Sequence, residues 1–204
     1  MMKVAITGNV ASGKSVVATI WAREGIPLVS ADDLARAAVE PGTPGLRAIG
    51  AVFGDEVLLP DGTLDRDGLR RLVFRDAGLR KRLEKILHPR IAALRDAWMA
   101  GEAGKGSPLV AAEIPLLFEL GLEGDFDATV LVHAADEERC RRLVESKGLG
   151  EDEARRIMEA QMPAEDKLDR ATYVLHNSGS LDDLEARALA LLDLLRARAA
   201  GKGT

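Results

Sequence analysis

Gly8-Asn9-Val10-Ala11-Ser12-Gly13-Lys14-Ser15 matches the phosphate-binding pattern G-x-x-x-x-G-K-[ST] at every fixed position. Lys3-Val4-Ala5-Ile6-Thr7 before it reads as a short buried strand. Val16-Val17-Ala18-Thr19-Ile20-Trp21-Ala22 after it continues as a helix, so the loop has the strand–loop–helix setting it requires. With 20 Gly, eight Lys and fourteen Ser or Thr in 204 residues, random placement yields on the order of 0.005 such matches along the chain. A solvated glycine-rich helix cap would leave the strand, both glycines and the Lys-Ser pair as coincidences.

The residue types supply the chemistry. Gly8 and Gly13 admit backbone conformations that a Cβ obstructs, which lets N–H groups along residues 8–15, those of Asn9, Val10, Ala11 and Ser12 included, converge on phosphate oxygens. The helix N-terminus adds partial positive charge. Lys14 reaches the β- and γ-phosphates, and Ser15 offers a hydroxyl to the Mg²⁺ that accompanies a nucleoside triphosphate.

At 47% hydrophobic content the 204 residues can bury a sizeable core, and the length suits one domain with insertions. A net charge of −5 and a pI near 5.4 argue against a nucleic-acid binder dominated by phosphate contacts. There is no apolar run long enough to span a bilayer and no signal-peptide pattern before the first strand, so a cytoplasmic protein without a membrane partner is expected. Cys140 is the only cysteine, which excludes an intrachain disulfide and a cysteine zinc cluster.

Further strands are predicted at 25–29, 108–112, 128–132 and 171–175, and a helix at 32–39 stops before Pro41-Gly42. Residues 43–104 are mostly helical in pattern, with Leu69, Leu72, Val73, Leu79, Leu83, Ile86 and Leu87 at helical spacings and a turn at Pro60-Asp61-Gly62. A charged helical stretch at 136–170 breaks near Gly148 and Pro163. A final helix runs from Leu181 to about Ala199 and frays into Gly201-Lys202-Gly203-Thr204. Five short strands separated by helices predict an α/β fold.

In a parallel sheet, ligands bind beyond the carboxyl ends of the strands, and the loop marks that edge. Asp32, just after the second strand, is the first choice for a carboxylate that orients or deprotonates an attacking hydroxyl; the alternative is that Asp32 or Asp33 caps the helix starting there. Glu113 ends the third strand and suits Mg²⁺ held through water, or it is simply solvated. Arg139, Arg141, Arg142, Lys147, Arg155 and Arg156 lie in the charged stretch, where a solvated helix face explains most of them and some suit a lid over a triphosphate. His88 before Pro89 reads as a bend in a helical pair, and His133 and His176 end strands without metal-ligand spacing.

Thr7 to Ser15, Ser30-Ala31-Asp32, Leu87-His88-Pro89, Ile114-Pro115-Leu116-Leu117-Phe118-Glu119, Gln161-Met162-Pro163 and Asn177-Ser178-Gly179-Ser180-Leu181 together resemble the dephospho-CoA kinase family. The resemblance implies a P-loop NTPase-like three-layer core with a five-stranded parallel sheet, all in one domain over 1–204: core about 1–40, 105–135 and 171–200, acceptor-binding helical insertion about 41–104, lid about 136–170. It implies ATP-dependent phosphorylation of the ribose 3′-hydroxyl of dephospho-CoA, the last step of coenzyme A biosynthesis, with Mg²⁺ as cofactor. Asp32 matches the family's catalytic base, while Ser30 stands in place of its first acid. Arg142 matches the first lid arginine, expected to be exposed, and Ser146 followed by Lys147 stands at the later one. Asn177 and Gly179 match a loop near the adenine pocket. A GTP-binding switch is the alternative from another class, since Asp65-Arg66-Asp67-Gly68 fits D-x-x-G, but no Asn-Lys-x-Asp follows. Oligomeric state does not follow from the sequence.

Overall fold

The computed structural model describes residues 1–201; residues 202–204, part of the stretch read as a frayed end, lie outside the described residues. The chain divides into two compact units, residues 1–30 with 102–204 and residues 31–101.

In the first unit β1 (Met2–Thr7), β2 (Leu28–Ser30), β3 (Leu109–Glu113), β4 (Ala128–His133) and β5 (Tyr173–His176) form one parallel sheet in the order β2-β3-β1-β4-β5. β1 is central, and its end carries the phosphate loop. Alternation splits its neighbours between two faces. Val4, Ile6, Val130 and Val132 pack with Val17, Ile20 and Trp21 of α1 (Lys14–Arg23) and Leu184, Ala188, Leu192 and Leu195 of α9 (Leu181–Gly201). Trp21 is fully buried, and its Nε1 donates to Ala188 O at 3.0 Å, so the largest side chain of this layer leaves no polar atom unpaired. Ala5, Val110, Ala112 and Leu131 point the other way and are equally buried, so both faces are covered, as a parallel sheet requires.

Two strands start two or more residues later than predicted. Gly25 adopts φ 80° and Ile26 N–H bonds back to Trp21 O, so residues 25–27 finish the turn after α1 and β2 begins at Leu28. Thr172 gives its N–H to Thr129 Oγ1 at 2.9 Å instead of to a ladder, and β5 begins at Tyr173. The charged stretch forms α6 (Asp136–Lys147), α7 (Glu151–Glu159) and α8 (Ala164–Leu168), broken where Gly148 and Pro163 were read. Gly148 ends α6 at φ 64°, the left-handed C-terminal stop that glycine favours.

The second unit holds α2 (Ala31–Ala37), α3 (Pro44–Phe53), α4 (Arg66–Arg75) and α5 (Ala77–Gly104) up to Gly101. Val39, Ile49, Phe53, Val57 and Leu69 form its core, with Leu72, Val73, Leu79, Leu83, Ile86 and Leu87 packed on it. The pair of helices expected to meet at His88-Pro89 is one element: α5 runs through Pro89 without interruption. Pro89 supplies no N–H for the Lys85 carbonyl one turn back, and at the next position Arg90 Nη1 donates to Ile86 O at 2.5 Å. Asp65 caps α4, accepting Gly68 N–H at 2.8 Å, and a Cβ on Gly68 would sit 2.3 Å from the same carboxylate. The D-x-x-G match is therefore a helix cap, and the switch reading falls with it.

Candidate active site

The carboxyl edge of the sheet brings Thr7, Ser30, Glu113, His133 and His176 to one end, with Ile6 and Ser30 both in register with Glu113. Residues 8–13 arch over that edge between β1 and α1. Both glycines of the motif have steric reasons. A Cβ on Gly8 would lie 2.5 Å from Val132 O, and one on Gly13, where φ is 98°, would lie 2.4 Å from Asn177 Nδ2. Gly13 is the N-cap of α1 and no side chain caps that helix, so its N-terminus is left for an anion.

The loop's own amides do not all point to a ligand. Val10 N–H goes to Gln161 Oε1 at 2.8 Å and Ser12 N–H to Asn9 O at 3.1 Å. Asn9 is buried, and its Nδ2 donates to Met162 O at 3.2 Å. Val10 and Ser12 thus spend their backbone donors on shaping the loop, and the Asn9 side chain ties it to the connector between α7 and α8. Ala11 stands at φ 59°, a left-handed conformation that costs an L-residue about 1–2 kcal/mol.

Ser15 Oγ donates to Glu113 Oε1 at 2.6 Å. The two residues expected at a metal are therefore adjacent, and their paired hard oxygens fit a divalent cation that keeps water and phosphate as its remaining ligands. Among the described residues no cluster of three or more His, Cys, Asp or Glu is placed to hold a metal.

A cleft of about 470 Å³ opens beside the loop, lined among others by Gly13, Lys14, Ser15, Arg141, Arg142 and Gly179. Arg142 differs from the expected free lid arginine. Its side chain is 24% exposed and paired with Glu138 at 2.8 Å, while Nη1 donates to Ala11 O at 3.2 Å and Nη2 to Asn177 O at 3.4 Å. Arg141, with the help of Arg142, holds the Glu138 carboxyl below its usual range, so this helix face stays zwitterionic. Ser146 lines the same cleft, its hydroxyl returned to Arg142 O at 2.5 Å, and brings no charge there. Asn177 is buried and donates to Ser12 O at 2.8 Å, so its amide supports the loop from the β5 end.

Asp32 is the second residue of α2, following β2 directly in the chain. The residue before the helix is Ser30, so neither Asp32 nor Asp33 holds the capping position, contrary to the capping alternative. Sequence reading also missed two buried cations. Arg139, read within a solvated face, is 3% exposed; Lys167 is fully buried and pairs with Glu119 at 2.6 Å. Glu119 ends the Pro-Leu-Leu-Phe-Glu run, which was the available signal, but nothing local names a partner 48 residues on.

A phosphate loop at the end of a central parallel strand, with a strand-end carboxylate against the loop's serine, is the core of a P-loop NTPase-like α/β protein. The profile of the family described as Dephospho-CoA kinase matches residues 2–183. The chain belongs to that family, which catalyses the final step of coenzyme A biosynthesis. A dephospho-CoA kinase of Anaeromyxobacter dehalogenans (strain 2CP-C) is 45% identical over 196 residues, 96% of this chain and 93% of that one. The crystal structure of TT1252 from Thermus thermophilus superposes with a TM-score of 0.80 at 42% identity, covering 95% of this chain and 97% of the other. Dephospho-CoA kinase from Campylobacter jejuni, at 24% identity and TM-score 0.75 over 96% and 97% of the chains, shares the fold. The family uses ATP and a divalent metal, and no helix among the described residues is long and apolar enough to cross a membrane.

Proposed function

We propose that this chain transfers the γ-phosphoryl group of ATP to the ribose 3′-hydroxyl of dephospho-CoA, giving CoA and ADP. The hydroxyl oxygen forms the new bond to the γ-phosphorus as the bond to the β-phosphate oxygen breaks. Asp32 accepts or orients the hydroxyl proton, Lys14 neutralises charge on the β- and γ-phosphates, and Arg142 adds charge from α6. Gly13, Lys14 and Ser15 receive the triphosphate at the N-terminus of α1, with Gly8, Asn9, Val10, Ala11 and Ser12 shaping the loop and Asn177 and Gly179 closing its far side. Ser15 and Glu113 would hold Mg²⁺, which would supply charge neutralisation to the triphosphate when bound. Residues about 41–104 take the acceptor, residues about 136–170 serve as the lid, and the cytoplasm, where ATP is regenerated, is the compartment this reading assigns.

The observation that carries the reading is the Ser15–Glu113 contact at 2.6 Å, because it joins the loop hydroxyl to a carboxylate from the neighbouring strand where a nucleotide-borne cation belongs. ADP release from ATP and dephospho-CoA by the purified chain is the test. Release that requires both substrates is expected, and a folded Lys14→Ala protein should lose most turnover. Release with another alcohol but not with dephospho-CoA, or full activity in Lys14→Ala, would remove the assignment.

A further inference from the structure

Ala11 is the one non-glycine residue with positive φ among the described residues. Glycine would hold that conformation without steric cost, so something else keeps an alanine there. The preceding peptide units are gripped from outside the loop. Gln161 Oε1 accepts Val10 N–H at 2.8 Å, and Arg139 Nε donates to Val10 O at 3.0 Å. Arg139 Nη2 reaches the same Gln161 oxygen at 3.3 Å, and Nη1 pairs with Asp136 at 2.7 Å. The guanidinium is therefore anchored at three points and nearly inaccessible, with its side chain 3% exposed. Val10 and Ala11 also pack on Cys140, Leu143 and Ala154, the small core shared by α6 and α7.

We propose that Arg139 and Gln161 are positioning residues for the phosphate loop. One holds the carbonyl of Val10 and the other its N–H, so the peptide units on either side of Val10 cannot rotate and Ala11 stays left-handed before a nucleotide arrives. Neither residue lines the nucleotide cleft; both act through the loop. A lysine at 139 would keep the charge but not the fork that serves Val10 O, Asp136 and Gln161 together. The benefit is preorganisation: a loop already in its anion-receiving shape loses less conformational freedom on binding. The connector between α7 and α8, remote in sequence from the loop, thereby helps to set the affinity for the triphosphate and not for the acceptor.

The inference rests on the phosphoryl-transfer reading, and its test separates the two. A double-mutant cycle on the full chain combines Arg139→Ala with Ala11→Gly and reads KM for ATP, KM for dephospho-CoA, kcat and Tm. Arg139→Ala is expected to raise KM for ATP about tenfold, equivalent to about 1.4 kcal/mol, with KM for dephospho-CoA changed less than about twofold. Ala11→Gly in that background should recover about half of the loss on a logarithmic scale, because glycine no longer needs the grip. A fall in Tm with both KM values moving together, or no recovery by glycine, would overturn the proposal. Should Arg139→Ala fail to fold, Gln161→Ala, at a half-buried position, must show the same ATP-specific rise, and its absence would overturn it equally. A folded wild-type chain that forms no ADP removes the phosphoryl-transfer reading itself. An active wild type whose variants lack an ATP-specific change removes only the positioning role.

Discussion

Ser15 meets Glu113 through a single hydrogen bond, and a hydroxyl is all that Ser15 brings to it. Ser15→Ala should move the midpoint of the Mg²⁺ titration of activity upward by about tenfold, since one hard ligand is lost while the charge of Glu113 stays; an unchanged titration would count against the metal assignment. Asp32→Asn tests the base. It removes the charge from a residue that is inside the first turn of α2 and not at its cap, so kcat should fall by roughly 10²- to 10⁴-fold with Tm nearly kept. Near-normal turnover would pass the role to Asp33 or Glu113. His133 makes a pH prediction. Burial first, then the facing His176 ring at 5.6 Å and Arg139, push its pKa below 6.5, against the smaller opposing pull of Asp136 and Glu165. The folded state then binds fewer protons than the unfolded one below pH 6.5, and stability falls as pH drops through that window. Tm measured from pH 8 to 5 should decline less in His133→Asn than in wild type; equal slopes would exclude His133 as the source.

Elements set how tightly the loop is confined. Gly13 ends the loop and starts α1 at φ 98° with Asn177 Nδ2 in the space a Cβ would take, so Gly13→Ala should cost at least about 1–2 kcal/mol from the backbone alone. It should also break the Asn177–Ser12 hydrogen bond. Loss of ATP binding by calorimetry, with a lowered Tm, is the expected result, and unaltered binding would refute this account of the glycine. The strands, the phosphate loop and the breaks at Gly148 and Pro163 were legible in the sequence because alternation, glycine and proline act over a few residues. Pro89 shows the limit: the apolar contacts of Ile86 and Leu87 with the core of the helical unit outweigh a local helix breaker, and α5 continues. Arg139 shows it again. Its neighbours Glu138 and Arg141 pair with each other at 2.7 Å on the exposed face, while Arg139, on the inward face, meets a loop 129 residues earlier in the chain.

At the scale of the molecule, the Lys167–Glu119 pair ties α8 to the segment after β3 across 48 residues. Lys167→Ala would leave Glu119 with neither oxygen paired, since its Oε2 already has no partner. Removing one partner of such a pair costs about 3–5 kcal/mol, so the denaturation midpoint should drop sharply, whereas Lys167→Met with Glu119→Gln together should cost far less. Equal losses in the two proteins would show that the charge is not what matters.

The sequence by itself determined the phosphate loop, the strand–helix alternation, the family and the acids at the strand ends, because each is written in residues next to one another. Only the tertiary structure decided the order β2-β3-β1-β4-β5, the burial of Arg139 and Lys167, and the turning of Asn9, Val10 and Asn177 toward the loop's support. Those outcomes depend on which groups meet far apart along the chain, from 48 residues for Glu119 and Lys167 to 165 for Ser12 and Asn177. A buried charge or amide must find its partner wherever the packed sheet and helices bring one.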